Sequence, residues 1–166
     1  MTRPLSRINN DAADIYKRHI KTVYWVCYTF MKNRADTDDA VSETFAKMLK
    51  AAPAFENEEH EKAWLIRTAT NVCKDILKHW QRRLENLEDY ENRLQIDDIF
   101  EPNVTLMAIS HLPDKYKIVV YLFYYEGYTS AQCSKILHKP HSTIRYFLQE
   151  ARKALKQTLG GNFDEE

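Results

Sequence analysis

At 166 residues the chain is long enough to bury a substantial core, as one domain or as two small ones. Three glycines, five prolines and no sustained apolar alternation exclude a strand-rich protein and predict an all-α fold. The formal net charge is zero, no apolar run approaches the roughly 18 residues of a membrane span, and Arg3 and Arg7 are not followed by the apolar stretch of a signal peptide, so no membrane insertion is expected.

The zero charge is an average. Residues 1–83 carry 15 Lys and Arg against 11 Asp and Glu, residues 84–103 carry 1 against 7, and residues 104–166 carry 8 against 6. Two mildly basic lobes, 1–83 and 104–166, are therefore expected on either side of an acidic linker, 84–103. Cys27, Cys73 and Cys133 each lie in a helical apolar run, which suits buried thiols in a reducing cytoplasm better than disulfides.

Residues 11–34 read as an aromatic-rich helix with Ile20, Val23, Cys27 and Met31 on one face. Asp36 is positioned to cap a second helix, with Asp38 and Asp39 in its first turn; Val41, Phe45, Met48 and Leu49 form its apolar face, and Asp38, Ser42 and Glu43 remain outside. Those acids suit either dipole pairing or a partner. Pro53 breaks the next stretch, which holds Phe55 as a lone aromatic. Residues 61–83 are the longest periodic segment. Ala63, Ile66, Thr70, Cys73, Leu77 and Trp80 form an apolar seam, and Arg67, Asn71, Lys74, Lys78 and Arg82 form a ridge opposite it. Such a ridge suits a nucleic-acid backbone, because cations displace counterions and an amide can reach a base or sugar; an ordinary solvated face has the same pattern.

Leu106, Ile109 and Leu112 predict a short helix ending at Pro113, with Asp114 as the cap of a following helix whose core is Tyr116, Val119, Val120 and Phe123 and whose end is Gly127. Residues 128–155 then read as a helical hairpin. Thr129 and Gln132 make a capping box, His138-Lys139-Pro140 interrupts, and Ser142 and Thr143 can cap a second helix with Ile144, Leu148, Ala151 and Leu155 inward. Arg145, Tyr146, Gln149, Arg152 and Lys156 turn outward. An apolar back and a donor-rich front suit a major-groove reader, or equally a hairpin with a solvated face.

Taken in order, these strings resemble bacterial RNA polymerase sigma factors of the extracytoplasmic-function class. D-T-D-D-A-V-S-E-T-F-A-K resembles the family's polymerase-docking helix, and the W-L-x-x-x-A-x-N-x-x-x-D-x-L pattern from Trp64 to Leu77 its promoter-melting helix. L-P-D-K-Y-K-I-V-V-Y-L-F-Y-Y-E-G-Y-T and S-T-I-R-Y-F-L-Q-E-A-R-K-A-L resemble the start and the recognition helix of its C-terminal promoter domain. The resemblance implies an all-α protein of two helical domains that recruits core RNA polymerase. Asp38, Asp39 and Glu43 would meet the clamp helices of its largest subunit, and the flap would be a further contact. Phe55, Trp64, Arg67, Asn71, Lys74 and Lys78 would act at the melted minus-ten element, and Ser142, Thr143, Arg145, Tyr146 and Gln149 at the duplex minus-thirty-five element. The linker would thread the RNA-exit region. An anti-sigma protein is implied as a further partner.

The sequence departs from the family pattern at Ser42, at Gln132-Cys133-Ser134, at His138 and Ser142, and at Phe147 and Glu150, where basic residues are common. This keeps open a sigma-like DNA-binding regulator, or an adaptor linking polymerase to another targeting factor. A catalytic or metal role is not expected and no cofactor is implied. Cys133, His138 and His141 lack a fourth ligand at standard spacing, and no phosphate loop or nucleophile motif is present.

Overall fold

Three long helices build the first lobe, because each carries an apolar face wide enough to meet both of the others. In the computed structural model, which describes residues 5–83 and 104–159, these are α1 (Leu5–Met31), α2 (Arg34–Ala51) and α3 (Glu58–Arg83). The acidic linker and the tail beyond residue 159 lie outside the described residues, and so do the expectations made for them.

Val23, Val26, Cys27, Phe30 and Met31 of α1 pack on Leu65, Ile66, Ala69, Val72, Cys73 and Leu77 of α3, with Val41, Phe45 and Met48 of α2 closing the core. The expected α3 seam is buried from Ile66 to Trp80, whereas Ala63 is half-buried. Leu65, Ala69 and Val72 widen it on the side that meets a second helix. Thr44 and Thr70 satisfy their buried hydroxyls on the carbonyls of Ala40 and Ile66, each at 2.7 Å. Leu49 departs from expectation. It is 53% exposed, because one residue beyond Met48 the helix has turned about 100° away from the core.

The link between α1 and α2, Lys32 and Asn33, comes earlier than expected: α1 ends at Met31 rather than at residue 34. Lys32 adopts a left-handed conformation (φ 66°) and Asn33, not Asp36, caps α2: its Oδ1 accepts the Asp36 N–H at 2.9 Å. Asp36 instead sits in the first turn, where its carboxylate accepts Asn33 Nδ2 at 2.7 Å.

The second lobe contains α4 (Val104–Ser110), α5 (Asp114–Val120), which runs into a π-helical turn (Tyr121–Tyr125), α6 (Ser130–Leu137) and α7 (His141–Leu159). Leu106, Ile109, Leu112, Val119, Ile144, Leu148, Ala151 and Leu155 are buried together. The Thr129–Gln132 capping box forms in full, and Gly127 (φ 79°) ends the π turn in a conformation that favours glycine. Two expected caps are replaced. Pro113 occupies the cap position of α5, while Asp114 lies in the first turn with its carboxylate 3.0 Å from Lys117 Nζ. Helix α7 begins at His141, before Ser142 and Thr143, and the Pro140 carbonyl accepts the N–H groups of Thr143 and Ile144.

The lobes touch: α4 and α5 pack against α1, and α6 leans on α3. Lys117 is buried at this junction, 2% exposed, with its ammonium 5.2 Å from the centre of the Phe30 ring. Among the described residues there is no strand and no helix long and apolar enough to cross a membrane.

Burial pushes the Lys117 ammonium down to about 8, Asp114 opposing the shift and Lys32 adding to it. Between about pH 8 and the unfolded value of 10.5, the unfolded chain holds a proton that the folded chain has released, so stability from this group rises with pH across that window. Below it, the cost of burying the charge is borne in full. Lys117→Met removes that cost without stranding Asp114, which is half-exposed. Thermal unfolding is expected to show the variant at least as stable as the native chain at pH 7, with the native chain gaining on it as the pH rises from 8 to 10.

Candidate nucleic-acid and partner interface

The acids of α2 divide once the helix is folded. Asp38 turns back along the surface toward Arg34, 3.9 Å away. Asp39 and Glu43 instead line a groove of about 500 Å³ between α2 and α3. Its floor is Val72, Ile76 and Trp80, and its rim adds Asp36, Asp75, Lys47 and His79. An apolar floor with a mainly acidic rim is complementary to a basic amphipathic helix. The α3 half of this groove was not anticipated. Asp75 and His79 lie between the seam and the ridge, and only the packing of α2 gives them a common purpose with Asp39 and Glu43.

Phe55 lies at a second cavity, of about 570 Å³, whose apolar wall includes Ile15, Met48 and Leu49 and whose polar edge is mainly acidic, with Asp11, Asp14, Glu56, Glu58 and Glu61 beside Arg18 and Asn57. Its ring meets His60 and Trp64 edge-on at 5.3 and 5.9 Å, so Trp64 supports Phe55 from behind. Arg18 Nη2 donates to both oxygens of the buried Glu61, at 2.8 and 2.9 Å. His19 is buried beside this pair, and burial lowers its pKa.

The expected ridge of α3 is not uniformly presented. Asn71 and Lys78 are exposed, whereas Arg67 and Lys74 are half-buried. Arg67 Nη1 donates to the Ile136 carbonyl at the end of α6, at 2.6 Å. Burial lowers the pKa of both Arg67 and Lys74, and for Lys74 the neighbouring Lys139 lowers it further.

In the second lobe, Ser130 Oγ and His141 Nε2 are 2.7 Å apart, which ties the starts of α6 and α7 together across the turn, while His138 closes α6 in a left-handed conformation. Ser142, Arg145, Tyr146 and Gln149 are exposed on the outer face of α7, and Thr143 is half-buried. Arg152, expected to face outward, is half-buried and donates from Nε to Tyr124 Oη at 2.9 Å. Phe147 packs edge-on to Tyr116 at 5.5 Å, and Glu150 pairs with Lys153 at 3.2 Å. Two of the departures in this helix, Phe147 and Glu150, thus have local structural roles. Among the described residues, no group of His, Cys, Asp and Glu is placed to hold a metal ion.

Residues 15–83 match the family model for sigma-70 region 2, and residues 104–155 match that for sigma-70 region 4. The chain belongs to the sigma-70 family, in its extracytoplasmic-function class. Its relatives within the family include the ECF RNA polymerase sigma factor SigW of Bacillus subtilis, 26% identical with 90% of this chain and 87% of the relative covered. The RNA polymerase sigma factor SigV of the same organism is 23% identical, with 85% and 86% covered. Two solved structures share the sigma fold. The sigma factor RpoE, in complex with the anti-sigma factor NepR from Bartonella quintana, superposes with a TM-score of 0.67 at 16% identity, covering 92% of this chain and 98% of that one. CnrH, in complex with the cytosolic domain of CnrY, gives 0.64 at 19%, covering 93% and 90%.

Asn33 sets where the acidic face of α2 begins. Asn33→Ala is expected to cost about 1 kcal/mol of stability through loss of the cap, and Asn33→Asp only a fraction of that; urea unfolding of the three chains measures both.

Proposed function

We propose that this sigma-70 family member directs core RNA polymerase to promoters and helps to open the minus-ten element, using three surfaces carried by its two matched segments. The observation that carries this reading is the division of three surfaces between the two matched segments. An acid-rimmed apolar groove and a ridge beside a Phe-lined cavity belong to the first, and a helical hairpin with a donor-bearing outer face to the second.

In this reading Asp39, Glu43 and Asp75 receive the clamp helices of the polymerase's largest subunit, and Asp38, drawn toward Arg34, lies at the margin. Strand separation costs stacking and pairing energy, so opened DNA has to be captured. The cavity at Phe55, whose ring is backed by Trp64, takes a flipped base, and Asn71 and Lys78, with Arg67 and Lys74, hold the backbone. Ser142, Thr143, Arg145, Tyr146 and Gln149 face the minus-thirty-five duplex. Residues 1–83 and 104–166 are then the two promoter domains, and 84–103 is the linker between them. The chain works in the cytoplasm without catalysis or cofactor of its own. An anti-sigma protein is a further partner; the similarity to RpoE, whose structure contains one, supports this.

A second reading, a sigma-like adaptor, draws on α7. With Phe147 turned to Tyr116, Glu150 paired to Lys153 and Arg152 held by Tyr124, the outer face is less cationic than the family pattern. Run-off transcription with purified core polymerase over a randomised promoter library separates the two. Enrichment of paired upstream and minus-ten signatures establishes the sigma factor. Enrichment of the minus-ten signature alone favours the adaptor, and absence of polymerase binding removes both.

The surfaces are separable by mutation. Asp39→Lys with Glu43→Lys is expected to reduce polymerase affinity at least a hundredfold at unchanged helicity, whereas Asp38→Lys costs less than tenfold; co-elution and circular dichroism give the comparison. Asn71→Ala with Lys78→Ala is expected to slow promoter opening, followed by permanganate reactivity of melted thymines, while leaving polymerase affinity within a few fold of native.

A further inference from the structure

Cys27 of α1 and Cys73 of α3 meet in the middle of the first lobe. Both are fully buried and both are free thiols, and the Cys73 thiol is hydrogen-bonded to that of Cys27. The core residues one turn away on each helix, Val23 and Met31 on α1 and Ala69 and Leu77 on α3, are apolar. The charge that reaches the pair comes from another element.

Lys117 of α5 supplies it. Its buried ammonium lies 5.2 Å from the centre of the Phe30 ring, one turn along α1 from Cys27. At the Cys73 sulfur this cation favours the thiolate, against burial and Asp114, which favour the thiol. Two touching thiols with a cation beside them can react in a way that an isolated buried cysteine cannot. Cys133 is the isolated case: it is buried in the second lobe, burial pushes its thiol up to about 11, and neither of the other cysteines acts on it.

We infer that Cys27 and Cys73 form an oxidisable dithiol, which a small peroxide joins as a disulfide that staples α1 to α3, with Lys117 holding the thiolate from which the reaction starts. The Cys73 thiolate attacks one peroxide oxygen and the O–O bond breaks, leaving a sulfenic acid on Cys73 and hydroxide, which takes up the proton that Cys73 lost. The Cys27 sulfur then displaces the second hydroxide, which leaves as water with the Cys27 proton. The two thiols together lose two electrons and the peroxide gains them. Because both sulfurs are buried, the oxidant enters by local opening of the lobe, which admits a small uncharged molecule and excludes a bulky disulfide. Among proteins that work surrounded by reducing thiols, such bonds are transient and serve as redox sensors. The product closes the chain from Cys27 to Cys73, which restricts the unfolded state and stabilises the lobe.

Hydrogen peroxide on the reduced full-length chain tests this, with acid quenching, alkylation of the remaining thiols in denaturant and mass spectrometry of the digest. Met107, which is exposed, is the internal reference, since its conversion to the sulfoxide shows that the oxidant has acted. The expected product is a monomer with Cys27 linked to Cys73 and Cys133 alkylated. Its melting temperature is expected to rise by at least about 5 °C and to return on treatment with dithiothreitol. Cys27→Ala is expected to abolish the rise. Lys117→Met is expected to slow the linkage about threefold or more without lowering its final yield. Three results overturn the dithiol: Cys27 and Cys73 still alkylated once Met107 is oxidised, sulfinic or sulfonic acid on either cysteine in place of the link, or pairing with Cys133. A rise in melting temperature that survives in Cys27→Ala overturns the staple, and an unchanged rate in Lys117→Met overturns the part given to Lys117.

Discussion

Helix α3 is packed on both sides, and the arrangement of the rest of the chain follows from that. Its apolar side, from Leu65 to Trp80, completes the core made by α1 and α2. Near its start Glu59 and Lys62 reach Tyr128 and Glu126 of the second lobe, and from the ridge Arg67 reaches the end of α6. Neither side can be altered without consequence for the other, because a rigid helix transmits any rotation to both. A change that turned α3 to improve its packing on α1 would move Arg67 away from the end of α6.

The two sides are held by forces of different kinds. Burial of aliphatic side chains in the first lobe stabilises by roughly 1.5–3 kcal/mol for each large residue, is non-directional, and is lost only when the lobe unfolds. Between the lobes two kinds of contact meet: α4 and α5 pack on α1 within one continuous buried cluster, whereas α3 meets the second lobe through hydrogen bonds and ion pairs, each worth on the order of 1 kcal/mol net.

The periodic parts of this architecture were legible in the sequence. Ile66, Thr70, Cys73, Leu77 and Trp80 could be placed inward by spacing alone, as could Ile144, Leu148, Ala151 and Leu155, because burial in a helix depends on angle and the sequence states the angle. The Thr129–Gln132 box was legible for a similar reason, both partners being local. The caps at Asp36, Asp114 and Ser142 were misplaced because a neighbour one to three residues earlier, Asn33, Pro113 or Pro140, starts the helix first. Propensity ranks the residues that can cap, and the backbone at the turn decides which one does. Among the candidate site residues, the separation of Asp38 from Asp39 and Glu43 depends on a side-chain direction, and the entry of Asp75 into their groove on the packing of two helices. The coupling of Arg67 to Ile136 spans 69 positions and leaves no periodic mark.

The π turn from Tyr121 to Tyr125 carries a further consequence. Here Glu126 N–H reaches back to the Tyr121 carbonyl at 3.1 Å, a five-residue step in place of the usual four, so the turn holds one residue more than an α-helical turn would. That residue works as an angular offset. Without it, everything downstream would be rotated by about 100° about the axis of α5, and Glu126 and Tyr128 would no longer be aimed at α3. The meeting of the two lobes is thus set by a count of residues inside one helix as well as by the chemistry of the groups that touch. A lineage could retune how tightly its lobes associate by gaining or losing a single aromatic residue there, with every contacting side chain unchanged.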